Sequence, residues 1–431
     1  MKIRELLMIC ALLVAAGTAR GQNGLNMPYS QYGVGESGMP FNMPFSMGMG
    51  GAVYTLSGSN YVNPFNPASY ASVQKETFVF DMGLNIQMSR LKDASASLYD
   101  ADGNIGYLAV AFPLTKWWKT SVGLMPGTDM SYASSKIDST EGGAMKTIYD
   151  GMGGVSQAYW GHAFNIGKRL SVGMNMNYMF GSIGRQIVYD FQGNDSTYWV
   201  DSYRRKESTI RSLFLDLGLQ YRQPLGEKYT LGLGLVCKLP KASRVTDVAL
   251  VATALGDTIF PLPGQENTYT STLEQPLTLG AGLSLERNNR WLVAADFTHA
   301  PWSGLKYTEN TTYSLFGRSA LSYGENSRFS LGFDYKGNKD ATQYIRRIGI
   351  RAGIHYEQGK LRLNLDGNDY CLNEFGMGAG LAFPMRKGQS VMNLSIHYAH
   401  YGSLSPLMRN SVTIGISVGS CESWFVKRKY N

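Results

Sequence analysis

Phe78-Val79-Phe80-Asp81-Met82-Gly83-Leu84-Asn85-Ile86-Gln87-Met88 places a large apolar side chain at every second position. In an extended strand successive side chains point to opposite faces, so one face here is greasy and the other is polar or bare. The rhythm recurs at Leu213/Leu215/Leu217/Leu219, Leu231/Leu233/Leu235, Leu279/Ala281/Leu283/Leu285, Ile348/Ile350/Ala352/Ile354 and Val412/Ile414/Ile416/Val418. About fourteen segments carry it. A greasy outside and a polar, glycine-rich inside is the pattern of an all-β, transmembrane antiparallel β-barrel.

The links between segments sharpen this reading. Short ones fall near 113–117, 167–169, 223–228, 288–290, 337–345 and 385–389. Between them lie long ones, near 90–103, 128–153, 190–206, 251–272, 300–325, 359–373 and 402–408. Outer-membrane barrels alternate short periplasmic turns with long external loops, so both chain ends are expected on the periplasmic side. No apolar run approaches the roughly 18 residues that a spanning helix requires, and the mean hydropathy of −0.18 fits a barrel whose apolar residues are diluted by inward polar ones.

The first residues read as a secretory signal over 1–21. Lys2 and Arg4 precede the apolar stretch Leu6 to Ala16, and Ala19-Arg20-Gly21 offers a small-x-small cleavage site. Ile9 before Cys10 is not small and the apolar stretch continues past it, which argues against lipid attachment there. The formal charge of +8 falls to +6 once Lys2, Arg4, Arg20 and Glu5 are removed with the signal. The basic cluster Lys427-Arg428-Lys429 lies in a terminal tail, 420–431, and no nucleic-acid-binding pattern accompanies it. Cys237, Cys371 and Cys421 are odd in number and widely spaced, unlike a disulfide framework or a metal site.

Residues 22–76 lack alternation and form a separate unit ahead of the barrel, 77–419. Met39-Pro40-Phe41-Asn42-Met43-Pro44-Phe45-Ser46-Met47-Gly48-Met49 sets large apolar side chains among prolines and glycines that forbid regular structure. Such a segment has to pack inside a container. Inward glycines at Gly83, Gly173, Gly232, Gly234, Gly280, Gly282, Gly332 and Gly353 leave room for it. It reads as an N-terminal hatch in the lumen, either as structural filling alone or also lining an apolar ligand pocket. Inward Asp81, Asn175, Asp216, Asp296, Asp334, Arg351, His355 and His397 carry both signs, so a web of satisfied pairs is expected. The five histidines show no HExxH spacing, and the GxSxG spacing of Gly415-Ile416-Ser417-Val418-Gly419 lies inside an alternating strand segment and not at a strand-to-helix elbow, so no catalytic residue is assigned and the chain is not read as an enzyme. No metal site or cofactor is expected.

Gly48-Met49-Gly50-Gly51-Ala52 followed by Asn63-Pro64-Phe65-Asn66-Pro67-Ala68 and then the barrel resembles the FadL-type long-chain fatty acid transporter family, in particular its Bacteroidetes branch. The resemblance covers essentially the whole mature chain. It implies capture of a hydrophobic ligand from outside and lateral release through a gap in the wall at the third strand, where Pro126-Gly127 stand here. Phe41, Met43, Phe45 and Met47 are the expected ligand contacts, and Asn66, Pro67 and Ala68 the anchor of the hatch. The chain departs from the family in its end, Trp424 to Asn431, which does not close on a terminal aromatic. Passive uptake of a hydrophobic small molecule at the outer membrane is the leading expectation. The alternative is an accessory barrel that binds exported proteins in a type IX-like secretion system.

Overall fold

The structure, a computed structural model, describes residues 25–423 apart from 32, 94–96, 141–142, 194–199, 256–257, 288–289, 309–320, 339, 366–367, 386–389 and 403–406. The signal segment and the basic tail beyond 423 lie outside the described residues.

Fourteen antiparallel strands close into a barrel. They are β1 (Thr77–Lys92), β2 (Ser97–Pro113), β3 (Trp118–Thr140), β4 (Gly143–Ile166), β5 (Leu170–Gly193), β6 (Asp201–Leu225), β7 (Tyr229–Lys238 continued by Lys241–Leu255) and β8 (Thr258–Gln275 continued by Thr278–Arg287). There follow β9 (Trp291–Pro301), β10 (Glu325–Tyr335), β11 (Gly349–Gln358), β12 (Glu374–Met385), β13 (Ser390–Tyr401) and β14 (Met408–Ser423). Each strand pairs with the next, and β1 pairs with β14 from Thr77 opposite Ser423 to Lys92 opposite Met408, which leaves no outer edge. β7 and β8 are each interrupted at a proline, Pro240 and Pro276, where a ladder N–H is missing.

Leu84, Ile86 and Met88 of β1 and Leu213, Leu215 and Leu217 of β6 are exposed on the outer face, while Asn85, Phe214 and Asp216 between them, and Asp81 earlier in β1, are buried. Among the described residues no helix is long and apolar enough to cross a membrane.

The barrel is lopsided. β3 to β6 run 23 to 25 residues, whereas β9 to β13 run 10 to 12. This corrects the links expected at 128–153, 190–206 and 251–272, most of which is paired strand. At the far end of β3 both faces of the strand are exposed, as at Ser134, Ser135 and Lys136, so no alternation of hydropathy marks it even though its ladder with β4 continues. The last strand likewise ends at Ser423, four residues past the expected limit.

The chain ahead of β1 runs through the lumen. α1 (Pro44–Gly48) begins with proline, whose absent N–H belongs to the unbonded first turn. A 3-10 turn, Pro67–Ser72, is capped by the Asn66 side chain, which accepts from the Ala68 N–H at 3.1 Å. Inward glycines receive this backbone directly. A Cβ on Gly378 would lie 1.8 Å from the Met47 carbonyl oxygen, one on Gly353 2.2 Å from the Met49 carbonyl carbon, and one on Gly173 2.4 Å from that of Pro67. The main core cluster joins Met43, Phe45, Met49, Val53, Tyr54 and Tyr70 of this segment to Val79, Tyr107, Tyr159 and Leu292 of the wall.

Candidate functional site: an interrupted seam beside a lumenal cavity

The β2–β3 ladder runs from Pro113 opposite Lys119 up to Leu108 opposite Leu124 and stops there. Above that level β2 pairs with β1 alone, while β3 pairs with β4 up to Thr140 opposite Gly143. The separation coincides with Pro126 and Gly127. Proline offers no N–H to a neighbour, and the register slips between Pro126 and Thr128, so one extra residue bends β3 away from β2.

The N-terminal segment borders the resulting seam. Glu36 and Asp129 exchange backbone hydrogen bonds of 2.9 and 2.8 Å, and the Met27 N–H donates to the Ser131 carbonyl at 2.6 Å. Asn26 touches both strands: its amide donates to the Ala133 carbonyl of β3 at 3.1 Å, and its backbone N–H donates to the Asp100 carboxylate of β2 at 2.6 Å. Lower down the Asn42 side chain donates to the Pro126 carbonyl at 3.3 Å, and the Asn42 carbonyl accepts from Asn85 of β1 at 2.9 Å.

A cavity of about 400 Å³ lies behind the seam, lined by Met39, Phe41, Phe65, Pro126, Gly127, Met179, Phe214, His397 and Arg409 among others. Its wall is amphipathic. Glu36 pairs with Arg409 of β14 at 2.7 Å, and Arg328 with Glu357 at 3.8 Å. The Phe41 ring stacks on His397 of β13 and packs at a 32° tilt on His355 of β11, with centroids 4.4 Å away in both cases. β12 lies between those two strands and presents Gly376 and Gly378, so the imidazoles lie across it; a Cβ on Gly376 would be 2.2 Å from the His355 ring. His355 also bonds Glu374 at 3.0 Å.

The expected ligand contacts separate into two groups. Phe41 lines the cavity. Met43, Phe45 and Met47 do not; they are 1%, 2% and 0% exposed, packed against the barrel wall or within the segment. Asn66, Pro67 and Ala68 contact the wall: the Asn66 amide donates to the carbonyls of Tyr54 (2.8 Å) and of Leu219 on β6 (3.1 Å), and Pro67 lies against Gly173 of β5. Tyr70 donates to Asn175 at 3.0 Å, and burial pushes its hydroxyl well above the usual tyrosine range, so it stays a donor. Asp296 accepts from the N–H groups of Val53 and Tyr54 at 2.5 and 2.8 Å, and Asp81 from Val62 at 3.1 Å and Tyr107 at 2.6 Å. Arg351 with Asp334 (3.1 Å) and Lys336 with Glu286 (2.7 Å) complete a web of both signs.

Sequence reasoning missed Asn26, Glu36 and Asn42 as seam residues, because ordinary polar residues in an irregular stretch give no periodic signal. It also missed the meeting of His355 with His397, which depends on a register no single strand reveals. Among the described residues no group of three or more His, Cys, Asp or Glu side chains is placed to hold a metal ion.

The BamG family model matches residues 2–431, nearly the whole chain. The chain belongs to the BamG family. Its barrel is similar to solved structures of outer-membrane transporters. The Ralstonia pickettii toluene transporter TbuX matches with a TM-score of 0.56 at 16% identity, covering 88% of this chain and 97% of that one. The Pseudomonas putida toluene transporter TodX matches with a TM-score of 0.56 at 18% identity, covering 89% and 98%. A Pseudomonas aeruginosa FadL homologue matches with a TM-score of 0.56 at 12% identity, covering 89% and 98%. At these identities the likeness establishes that this BamG member has the FadL-type outer-membrane barrel fold. No curated protein matches the sequence.

Proposed function

We propose that the chain is an outer-membrane channel that admits a hydrophobic small molecule into the lumenal cavity and releases it sideways into the bilayer between β2 and β3. The observation that carries this reading is the end of the β2–β3 ladder above Leu108 and Leu124, beside a cavity that reaches Pro126 and Gly127. A volume of about 400 Å³ suits a small apolar ligand. Its desolvation would supply about 25 cal/mol per Å² of apolar surface buried, with no chemical step required. In this reading residues 22–76 act as the hatch, with Asn66, Pro67 and Ala68 as its anchor. Phe41 meets the ligand, both termini are periplasmic and the tall hairpins of β3 to β8 stand outside the cell. The toluene transporters of the same fold fit this reading by analogy. The test is saturable binding of a panel of fatty acids and monoaromatic compounds to the purified protein, with loss of affinity in F41A. Absence of saturable binding would overturn it.

Membership of the BamG family favours a second reading, an accessory barrel of an outer-membrane barrel-assembly machine. That reading expects co-purification with barrel-assembly subunits, and depletion that lowers the amounts of other outer-membrane barrels while hydrophobic uptake is unchanged. Co-purification with exported proteins instead would favour a type IX-like secretion role.

A further inference from the structure

Among the described residues every short turn at one end of the barrel carries a cation. Lys116 follows β2, Lys168 and Arg169 follow β4, and Lys228 follows β6. Arg290 follows β8, and Lys336, Arg346 and Arg347 follow β10. Two carboxylates, Glu227 and Asp340, stand in the same turns. Among the described turn residues eight cations thus stand against two carboxylates, so this end of the barrel is strongly positive. Lys336 is held by Glu286 at 2.7 Å, while Lys116, Lys168, Arg169, Lys228, Arg290 and Arg346 are exposed.

Each of these turns also adjoins an apolar or aromatic side chain at the barrel end: Trp117, Ile166, Leu225, Trp291 and Ile345, of which all but the half-buried Trp291 are exposed. Aromatic and apolar residues beside cations are what a membrane interface selects, with rings at headgroup depth and ammonium or guanidinium groups among phosphates.

We propose that this rim is a ring-shaped binding surface for anionic phospholipid headgroups in the leaflet it meets. The distribution decides between a lipid and a polypeptide partner. A folded protein touches one side of a barrel end and would select cations there, whereas a lipid annulus meets all sides equally, and every described short turn carries at least one cation. Naming that leaflet as the inner one of the outer membrane rests on the orientation given under Proposed function; the lipid preference itself does not depend on ligand uptake.

The experiment equilibrates the purified full-length protein with an equimolar mixture of phosphatidylethanolamine, phosphatidylglycerol and lipid A, and measures retained lipid by native mass spectrometry at low and high salt. Each basic group near an anionic surface shifts partition by about fivefold, so phosphatidylglycerol is expected to exceed phosphatidylethanolamine by at least about tenfold at low salt. High salt should erase most of that preference. The variant K168Q/R169Q/R346Q/R347Q should lose it while keeping the heat-modifiable gel mobility of a folded barrel. Equal retention of the two phospholipids, a preference indifferent to salt, or an unchanged preference in the folded variant would overturn the proposal. So would preferential retention of lipid A, or capture of an acidic polypeptide without lipid preference. Should the variant fail to fold, the salt series on the unaltered protein decides the matter.

Discussion

Glu36 pairs with Asp129 through two backbone hydrogen bonds, 2.9 and 2.8 Å long, so the N-terminal segment takes the place beside β3 that β2 has vacated. The Glu36 carboxylate meanwhile holds Arg409 of β14 at 2.7 Å. One residue thus ties the kinked strand to β14, beyond β1 and β2. In the proposed function this contact has to yield for a ligand to leave sideways. A pair that exchanges both backbone bonds has Cα atoms about 5.5 Å apart, within disulfide range. E36C/D129C, made with the three mature native cysteines replaced, is therefore expected to cross-link on oxidation, to lose uptake, and to regain it on reduction. Uptake by the oxidised form at the unaltered rate would show that the pair does not gate passage.

Phe41 and Met43 are two residues apart and have different surroundings. Phe41 lines the cavity and packs against two imidazoles, whereas Met43 is buried in the core cluster. F41A should weaken ligand binding by about tenfold or more with little loss of stability, since a ring contact contributes about 0.5–1.5 kcal/mol beyond its buried area. M43A and M47A should cost about 2–5 kcal/mol of stability and leave affinity within about twofold. Isothermal titration beside denaturant unfolding separates the two classes, and equal affinity losses in all three variants would contradict the division.

Gly378 faces the Met47 carbonyl so closely that a methyl group would lie 1.8 Å from it. Neither backbone can give way cheaply. G378A is expected to unseat α1 without unfolding the barrel, measurable as faster proteolysis between residues 40 and 60 and as larger conductance in planar bilayers. Unchanged proteolysis and conductance would mean that the segment is not held by close backbone contact.

Asn66 bonds the carbonyls of Tyr54 and Leu219 and caps the Pro67–Ser72 turn. Alanine there removes these bonds and leaves the buried Ala68 N–H without the side-chain oxygen that capped it, at about 1–3 kcal/mol for an unsatisfied group. N66A should show rapid hydrogen exchange across residues 53–70 while the exchange of β5 and β6 is unaffected. Protection equal to that of the unaltered protein would contradict an anchoring role.

The barrel was legible because hydrocarbon outside and polar groups inside impose opposite demands on neighbouring residues such as Leu84 and Asn85. Where that contrast ends, so did the reading. Ser134 to Lys136 are strand with both faces exposed, and nothing in their hydropathy separates them from a loop. Proline and glycine at 126 and 127 were visible, and the break in pairing falls beside them, since an imide and a missing side chain act locally. The Phe41, His355 and His397 cluster was not legible, because it arises from the register of three strands and from the bare positions Gly376 and Gly378 between them.

The central claim, sideways passage at the β2–β3 seam, is tested most directly by removing the bend in β3. Replacing Pro126 with valine and deleting Gly127 restores the missing N–H and removes the extra residue, which should extend the ladder above Leu108 and Leu124. Binding to the purified variant and uptake by cells carrying it are then measured for one ligand. Affinity within about twofold together with uptake reduced by about tenfold or more is the expected result, because the cavity persists while its side exit is zipped shut. Uptake at the unaltered rate through a continuous β2–β3 ladder would contradict the claim.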